Sequence, residues 1–243
     1  MVAKGETICN EAKEVRTSVG SAKIIHLFYN NGMRKAEWFL FIMVVASFVI
    51  GAAFYPYMPT IVVSHWNAAG QPNGYMSRWW GAFALPIIFL LVAIVLFFLP
   101  RIDPKRKNIE KFRKYFDYFI IAFAIFFYYL YLLTLVWNMN DSFNFASALI
   151  PALAALFYLL GFFLPHTESN WTIGIRTPWT LSSERVWKKT HEVAGLAFKI
   201  CAVFTLFGII FPSAAIWLII IPALVAAIGL VVYSYLLYRK EKE

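Results

Sequence analysis

Residues 80–100 read WGAFALPIIFLLVAIVLFFLP, a run of twenty-one residues without one charged side chain. An apolar run of about 18 residues or more is long enough to cross the hydrocarbon core of a bilayer as an α-helix. Five further stretches share this length and apolar character: residues 37–57, 116–137, 144–165, 193–211 and 213–238. The sequence therefore predicts an all-α membrane protein with six transmembrane helices.

The composition of the whole chain excludes an ordinary soluble domain. Hydrophobic residues make up 61% and charged residues 14% of the chain, and the mean hydropathy is +0.65. Soluble domains carry about 25% charged residues. The formal net charge of +9 would suggest nucleic-acid binding in a soluble protein, but lysines and arginines beside anionic lipid headgroups account for it here. We expect a multi-pass protein of the cell membrane, partnered by the lipid bilayer, without direct nucleic-acid binding.

The distribution of lysine and arginine predicts the orientation of the six helices. Six of these residues precede the first apolar block, seven lie in residues 101–114, four in residues 166–192 and three after residue 238. Residues 58–79 contain one, and residues 138–143 contain none. Because positively charged loops stay in the cytoplasm, both termini are predicted to be cytoplasmic, together with the loops at 101–114 and 166–192.

The first 36 residues are predicted to form a retained cytoplasmic arm. They carry charges from Lys4 onwards and have neither an early apolar core nor a small-residue cleavage site, so they do not resemble a signal peptide. A surface-lying helix is expected around residues 21–28. Cys9 falls in this arm and Cys201 in the fifth apolar block. Neither a disulfide nor a metal site is predicted from these two cysteines.

The apolar blocks and their connections divide the chain into five segments. These are the arm at residues 1–36, a first helical hairpin at 37–100 with a structured outer loop at 56–79, a basic loop with helices three and four at 101–165, a cytoplasmic loop with an interfacial helix at 166–192, and helices five and six with a basic tail at 193–243. The connections at 138–144 and 211–213 are short, which predicts that helices three and four, and five and six, are antiparallel neighbours.

The outer loop at residues 56–79 is predicted to be compact. A β-branched run at residues 60–63 precedes the polar triplet His65, Trp66 and Asn67, and turn signals follow at residues 69–70 and 73–74. One interpretation is that His65, Trp66 and Tyr75 anchor the loop at the depth of the lipid headgroups. The other is that the loop is an extracytoplasmic recognition surface.

The cytoplasmic loop at residues 166–192 is predicted to contain two turns and a helix. Gly174 permits one turn, Pro178 fixes another, and Ser182 is the expected N-cap of the helix. The helical spacing places one set of side chains on an apolar face (Val186, Trp187, Thr190 and Ala194) and another largely on the opposite polar face (Glu184, Arg185, Lys188, Lys189 and Glu192). This pattern is typical of an amphipathic helix at the membrane surface.

Arg176 is the residue of this loop with the clearest binding chemistry. Its planar guanidinium can pair with a carboxylate or phosphate. Either it binds a ligand, or it clamps the loop by pairing with Glu168 or Glu184, and loop-fixing ion pairs of this kind are common.

No catalytic signature is found in the chain. The sequence has no nucleophile elbow, zinc-protease helix, phosphate-binding loop or dinucleotide fingerprint, and no cofactor is predicted. One alternative is that His166, Glu168, His191 and Glu192 converge at the cytoplasmic face as a metal or acid–base site. The other is that they lie separately on solvated polar faces.

Both loops resemble a known family. The cytoplasmic residues that carry the resemblance are Gly174, Ile175, Arg176, Thr177, Pro178, Trp179, Thr180 and Leu181, followed by Trp187 and His191. The chain is similar here to the SdpI-type toxin-immunity membrane proteins. The outer residues are Met58, Pro59, His65, Trp66, Asn67, Gly70, Pro72, Asn73 and Gly74, and they resemble the domain of unknown function found in the first half of such proteins.

The resemblance covers residues 40–238 and departs from the family pattern at two points. The arm at residues 1–36 has no counterpart in the compact prototype, and Asn73 stands where an acidic residue is common.

The resemblance implies a six-span, non-enzymatic immunity and signalling protein. Such a protein protects its cell against a secreted peptide toxin, and it holds a small winged-helix repressor at the membrane when the toxin is engaged. The outer loop would then contact the toxin and the loop at 166–192 would dock the repressor. A transporter of a lipid, peptide or small solute is the alternative, since six spans allow a three-plus-three inverted repeat.

Overall fold

The computed structural model describes residues 32–67, 69–140 and 143–243. Its elements follow one another in this order: α1 (Lys35–Phe54), a 3₁₀ turn (Tyr55–Tyr57), β1 (Ile61–Trp66), β2 (Pro72–Ser77), α2 (Arg78–Ile102), α3 (Arg106–Lys111), α4 (Arg113–Met139), α5 (Phe145–Phe163), a 3₁₀ turn (Leu164–His166), α6 (Pro178–Ser182), α7 (Glu184–Ile210), a 3₁₀ turn (Pro212–Ala214) and α8 (Ala215–Lys242).

The prediction of six transmembrane helices is confirmed. Within the described ranges, six helices are long and apolar enough to cross a membrane, namely α1, α2, α4, α5, α7 and α8, three of them together with their adjoining 3₁₀ turns. Residues 36–243 form one compact unit. The arm at residues 1–36, its helix around residues 21–28 and Cys9 lie almost wholly outside the described residues. The cytoplasmic location of the termini stays a prediction from charge.

The helices pack mainly against their neighbours in sequence. α7 lies along both α5 and α8, α4 packs on α5, and α2 packs on α4, which confirms both predicted antiparallel pairs. The crossing of α5 and α7 is close because Gly161 and Gly195 face each other there. A Cβ atom on Gly161 would lie 2.7 Å from the backbone oxygen of Gly195. Small residues at such crossings let two membrane helices approach closely.

Two buried apolar clusters support the two ends of the helices. One lies beneath β1 and β2, at what we call the hairpin end, and includes Met58, Val62 and Tyr131. The other includes Ile109, Phe112, Phe116, Phe163 and Ile173 and lies near the opposite end, which we call the basic end because residues 101–114 are there. Each candidate site described below is therefore built on its own packed layer.

A buried ion pair joins α1 to α2 at the basic end. The guanidinium of Arg101 donates two hydrogen bonds to the carboxylate of Glu37, at 2.8 and 3.0 Å. It also lies 3.7 Å from the ring centroid of Phe97. Glu37 is only 1% exposed, and the positive charge of Arg101 beside it compensates the charge of this buried carboxylate.

Candidate functional site

The outer loop is a two-stranded antiparallel β-hairpin. β1 pairs with β2 from Ile61 opposite Ser77 to Trp66 opposite Pro72. The turn between them is held by Asn67, whose Oδ1 accepts hydrogen bonds from the backbone N–H groups of Ala69 and Gln71 at 3.0 and 2.9 Å. The turn passes through Gly70 at φ +76°, a conformation that side chains with a Cβ rarely adopt.

The second predicted turn, at Asn73 and Gly74, is wrong. Both residues lie within β2, and the pairing register is irregular where Gly74 lies opposite His65. The imidazole Nδ1 of His65 hydrogen-bonds Oδ1 of Asn73 across the two strands. The Asn-Gly pair here forms part of an irregular strand pairing, not a reversal of the chain.

The hairpin is fixed to the helices by polar and aromatic contacts. Asn138 of α4 satisfies both backbone groups of Val63: its Oδ1 accepts from the N–H at 2.7 Å and its Nδ2 donates to the oxygen at 3.0 Å. The ring of Trp66 stacks on Phe145 of α5, with 3.7 Å between centroids and 2° between planes. Trp137 meets Trp66 edge-on at 5.1 Å. The hairpin is therefore pre-positioned over α4 and α5.

A cavity of 530 Å³ lies beneath the hairpin, between α2, α4, α5 and α8. This volume falls within the range of about 300–1,000 Å³ typical of ligand pockets. The walls are mostly aliphatic and aromatic, and His65, Trp66 and Asn67 form part of the upper lining. Three of the seven predicted recognition residues thus line the cavity. The other four, which are Gly70, Pro72, Asn73 and Gly74, shape the turn and β2.

At the basic end, the loop at residues 167–177 is folded around two buried polar side chains. Asp103 accepts hydrogen bonds from the N–H of Trp171 at 2.9 Å and from the hydroxyl of Thr172 at 2.7 Å. Asn170 accepts from the N–H of Ile173 at 2.6 Å and donates to the oxygen of that residue at 2.9 Å. Buried polar groups that are fully bonded in this way specify one loop conformation.

The basic loop after α2 fastens the same segment from a second side. Asn108 donates to the backbone oxygen of Ser169 at 2.8 Å, and Lys105 donates to the hydroxyl of Ser169 at 2.9 Å. The ammonium of Lys105 also lies 3.7 Å from a carboxylate oxygen of Glu184. Lys105 therefore has a local structural role besides its predicted influence on topology.

Gly174 and His191 meet in the centre of the loop. Nε2 of His191 accepts the N–H of Ile175 at 2.9 Å, and its Nδ1 bonds the backbone oxygen of Trp187 at 2.8 Å. Because a carbonyl oxygen only accepts, Nδ1 carries the proton and the ring is neutral. Gly174 has φ +120°, and a Cβ there would lie 2.6 Å from Nε2 of His191. The indole N–H of Trp187 donates to the oxygen of Thr167 at 3.0 Å.

The Thr-Pro-Trp-Thr sequence forms a short capped helix, α6. Thr177 is its N-cap and Pro178 occupies its first turn. The hydroxyl groups of Thr177 and Thr180 bond each other's backbone N–H in a capping box, at 3.1 and 2.9 Å. The hydroxyl of Thr177 lies 3.1 Å from that of Ser234 in α8, and Trp179 packs on Tyr235 at 5.1 Å. This motif therefore attaches the loop to the last helix.

Arg176 is exposed and does not form the expected ion pair. Its Nη1 donates to the backbone oxygen of Trp171 at 2.8 Å, and within the described residues it pairs with neither Glu168 nor Glu184. The predicted clamp paired Arg176 with a carboxylate, whereas the structure pairs it with a backbone carbonyl oxygen. The rest of the guanidinium faces outward beside Trp171, whose side chain is 52% exposed.

The helix after the loop begins one residue later than predicted. Ser183, not Ser182, is the N-cap of α7, and its hydroxyl accepts from the N–H of Val186. The hydroxyl of Ser182 instead donates back to the oxygen of Pro178. The predicted apolar and polar faces are confirmed by burial and exposure. The expected interfacial helix and the fifth membrane helix are one uninterrupted element.

The alternative acid–base or metal cluster does not assemble. His166 stacks on Tyr115 at 3.6 Å and bonds the oxygen of Phe162, whereas His191 is buried in the loop. Glu192 pairs with Lys189 at 3.0 Å. Among the residues that the structure describes, no three His, Cys, Asp or Glu side chains come together in a way that could hold a metal ion.

Four side chains that organise the two ends were not predicted from the sequence: Asp103, Asn108, Asn138 and Asn170. Each bonds the backbone of a segment more than sixty positions away in the chain or of its own tight turn. Their residue type and position in the sequence could have indicated this role. Asp and Asn side chains directly after apolar blocks or between turn residues often bond nearby backbone groups.

The loop at the basic end lies in a segment that matches a known protein family. Residues 167–234, which include this loop with α7 and most of α8, match the SdpI/YfhL protein family. This match confirms the resemblance to SdpI-type proteins that the sequence motifs predicted. Residues 42–90, which include the hairpin, match a domain of unknown function, DUF1648. Each matched segment contains a different one of the two sites described above.

One relative of this chain is named as an immunity protein. The chain is 24% identical over 200 residues to the immunity protein SdpI of Bacillus subtilis (strain 168), which covers 82% of this chain and 94% of that protein. No solved structure matches. The six apolar helices and the similarity to SdpI together identify the chain as a multi-pass protein of the cell membrane.

Proposed function

We propose that the protein protects its cell against a secreted peptide toxin and that the hairpin end contacts the toxin. The observation that supports this proposal most strongly is the similarity to an immunity protein along 82% of the chain. The charge distribution predicts that the hairpin faces outward. The contacts of Asn138 and Trp66 hold the hairpin in one position, so little conformational entropy is lost when a partner binds it.

His65 is the side chain best placed to contact a toxin. It lines the upper end of the cavity, it is exposed, and its described hydrogen bond runs to Asn73 of the same hairpin. Removing its ring therefore alters the recognition surface more than the fold. We expect His65→Ala to weaken protection about tenfold, equivalent to about 1.4 kcal/mol of binding energy.

Growth of toxin-sensitive cells measures this effect. Cells with and without the protein are exposed to a purified peptide toxin of an SdpI-type system, and the concentration that halves growth is compared. Wild-type protein should raise that concentration, and His65→Ala should lose most of the increase. Tyr57→Ala is the control, because Tyr57 is exposed in the 3₁₀ turn after α1 but does not line the cavity. Equal killing with and without protein, at matched amounts in the membrane, would count against the proposal.

We also propose that the basic end docks a small winged-helix repressor. The supporting feature is a rigid loop that presents an exposed tryptophan, Trp171, beside the exposed guanidinium of Arg176. Tryptophan and arginine are among the residues most enriched at the positions that dominate binding energy in protein interfaces. Coupling of repressor docking to toxin binding would require two conformations whose balance both partners change.

The transporter alternative predicts solute uptake by liposomes that contain the protein, which neither proposal requires.

Substitution of Arg176 separates docking from folding. Because Arg176 is exposed and bonds a single backbone oxygen, Arg176→Ala should change the free energy of unfolding by no more than about 1 kcal/mol. We expect at least about tenfold less repressor retained on immobilised protein. Arg239→Ala is the control, because Arg239 is an exposed arginine paired with Glu243. Aggregation of Arg176→Ala would instead show that the side chain is structural, and full retention would exclude it from the dock.

A further inference from the structure

We propose that the cavity beneath the hairpin holds one acyl chain of a membrane lipid, taken from the leaflet next to the hairpin. This inference goes beyond the immunity proposal and does not depend on it. It rests on the depth of the cavity, on where its wall is exposed, and on how polar and apolar residues are distributed along it.

The depth of the cavity matches a lipid tail. Its lining begins at Trp80 on α2 and at Phe145 on α5, and extends to Ile88 and Leu153 on the same two helices. Each pair is eight residues apart, which corresponds to about 12 Å along a helix. One leaflet contributes about 15 Å to the hydrocarbon core of a bilayer. The cavity therefore runs along most of one leaflet.

The wall of the cavity is open towards the bilayer along α2. Trp80 and Ile88 both line the cavity, and these two residues are 53% and 46% exposed. α2 and α8 form two of the four walls, but they pack mainly on α4 and α7 respectively and make few contacts with each other. A lipid chain can therefore enter sideways, between helices, without passing through water.

Entry from above is closed by the hairpin. Val63 is bound at both backbone groups by Asn138, and Trp66 is stacked on Phe145. A peptide side chain arriving from water would have to displace these contacts, whereas an acyl chain would not. The geometry thus favours a lipid over a segment of a peptide toxin as the occupant.

Polarity changes along the cavity as it does along a lipid. His65, Asn67 and Asn138 lie at the upper end, and the deeper lining is aliphatic, with Leu149, Leu153 and Ile219. The buried indole N–H of Trp66, which has no hydrogen-bond partner within the described ranges, belongs to the same upper end. None of the lining residues is Asp, Glu, Lys or Arg. An uncharged tail below a polar ester group fits this order.

Photocrosslinking tests the proposal directly. The full chain is placed in lipid nanodiscs that contain a phosphatidylglycerol with a diazirine on one acyl chain, and labelled peptides are mapped by mass spectrometry. We expect labels inside the cavity, on segments of α2 and α5 around Ala84 and Leu153, in addition to labels on the outer surfaces. If only outward-facing segments are labelled in the wild-type protein, the proposal is overturned.

Cavity-filling variants supply the matched comparison. Ala84→Phe and Ala146→Leu fill the cavity from α2 and α5, and either one that elutes as a monodisperse protein should lose at least about tenfold of the cavity labels. Val95→Phe is the control, because Val95 is 51% exposed on α2 and does not line the cavity. Cavity labels that persist in the filled variants overturn the proposal. So does a photoreactive toxin peptide that labels these segments when the lipid does not.

Discussion

Gly174→Ala is expected to lower the free energy of unfolding by about 2–5 kcal/mol, through backbone strain and overpacking together. Gly174 has φ +120°, a conformation open in practice to glycine alone. A Cβ there would also lie 2.6 Å from Nε2 of His191 and 3.0 Å from the ring of Trp187. Neither ring can move easily, since each is held by hydrogen bonds to backbone atoms. Thermal unfolding in detergent, followed by tryptophan fluorescence, measures the loss.

Gly229→Ala is the matched control for this prediction. Gly229 lies in the middle of α8, and a Cβ on it would meet nothing within 4 Å. Alanine is favoured over glycine within a helix by roughly 0.5–1 kcal/mol, so this variant should be as stable as the wild type or slightly more so. Equal melting curves for the two variants would contradict the described geometry of the loop. If Gly174→Ala also releases the bound repressor, docking depends on the loop conformation.

Glu37→Leu is expected to destabilise the protein by about 3–5 kcal/mol, because it leaves a largely buried guanidinium without its partner. Arg101 bonds both carboxylate oxygens of Glu37 and is only 14% exposed. The loss should appear as earlier thermal unfolding in detergent and as less protein recovered from the membrane.

Two further variants distinguish loss of the pair from loss of a carboxylate in general. Glu243→Leu removes one partner of an exposed pair with Arg239, and such pairs contribute at most about 1 kcal/mol. The double variant Glu37→Leu/Arg101→Leu removes both buried charges and should recover much of the lost stability. A single Glu37→Leu variant as stable as the wild type would show that the pair does not hold α1 against α2.

The six membrane helices could be predicted from sequence because the bilayer admits few alternatives. A spanning segment must satisfy its backbone hydrogen bonds internally, so length and absence of charge are enough to identify it. The hairpin could not be identified in the same way. Its second strand contains Pro72, Asn73 and Gly74, which are typical of turns. These residues form a strand only because β1, which Asn138 holds at Val63, provides the pairing partners. Strand formation depends on such context more than helix formation does.

The candidate site at the basic end was located by its motif, but its architecture depends on distant contacts. The residues around Arg176 are exceptional enough in sequence to mark the loop. Their roles could not be inferred, because Asp103 and Ser234 bond them from other segments of the chain. The expected partners of Arg176 were wrong for a different reason, since its partner is the backbone oxygen of Trp171 in the same loop. Every residue has a backbone oxygen, so the sequence does not indicate which one accepts a hydrogen bond, whereas a nearby glutamate is visible as a candidate partner.

The continuity of α7 has a mechanical consequence. Its first turns carry Trp187 and His191 against the loop, and near its other end Gly208 lies against Ile150 and Ala215, two residues of the cavity wall. The 27 residues of this helix span about 40 Å. A stiff rod of that length converts a small tilt at one end into a displacement at the other. A change in the width of the cavity beneath the hairpin is therefore expected to shift the loop at residues 167–177 through movement of α7 as a whole.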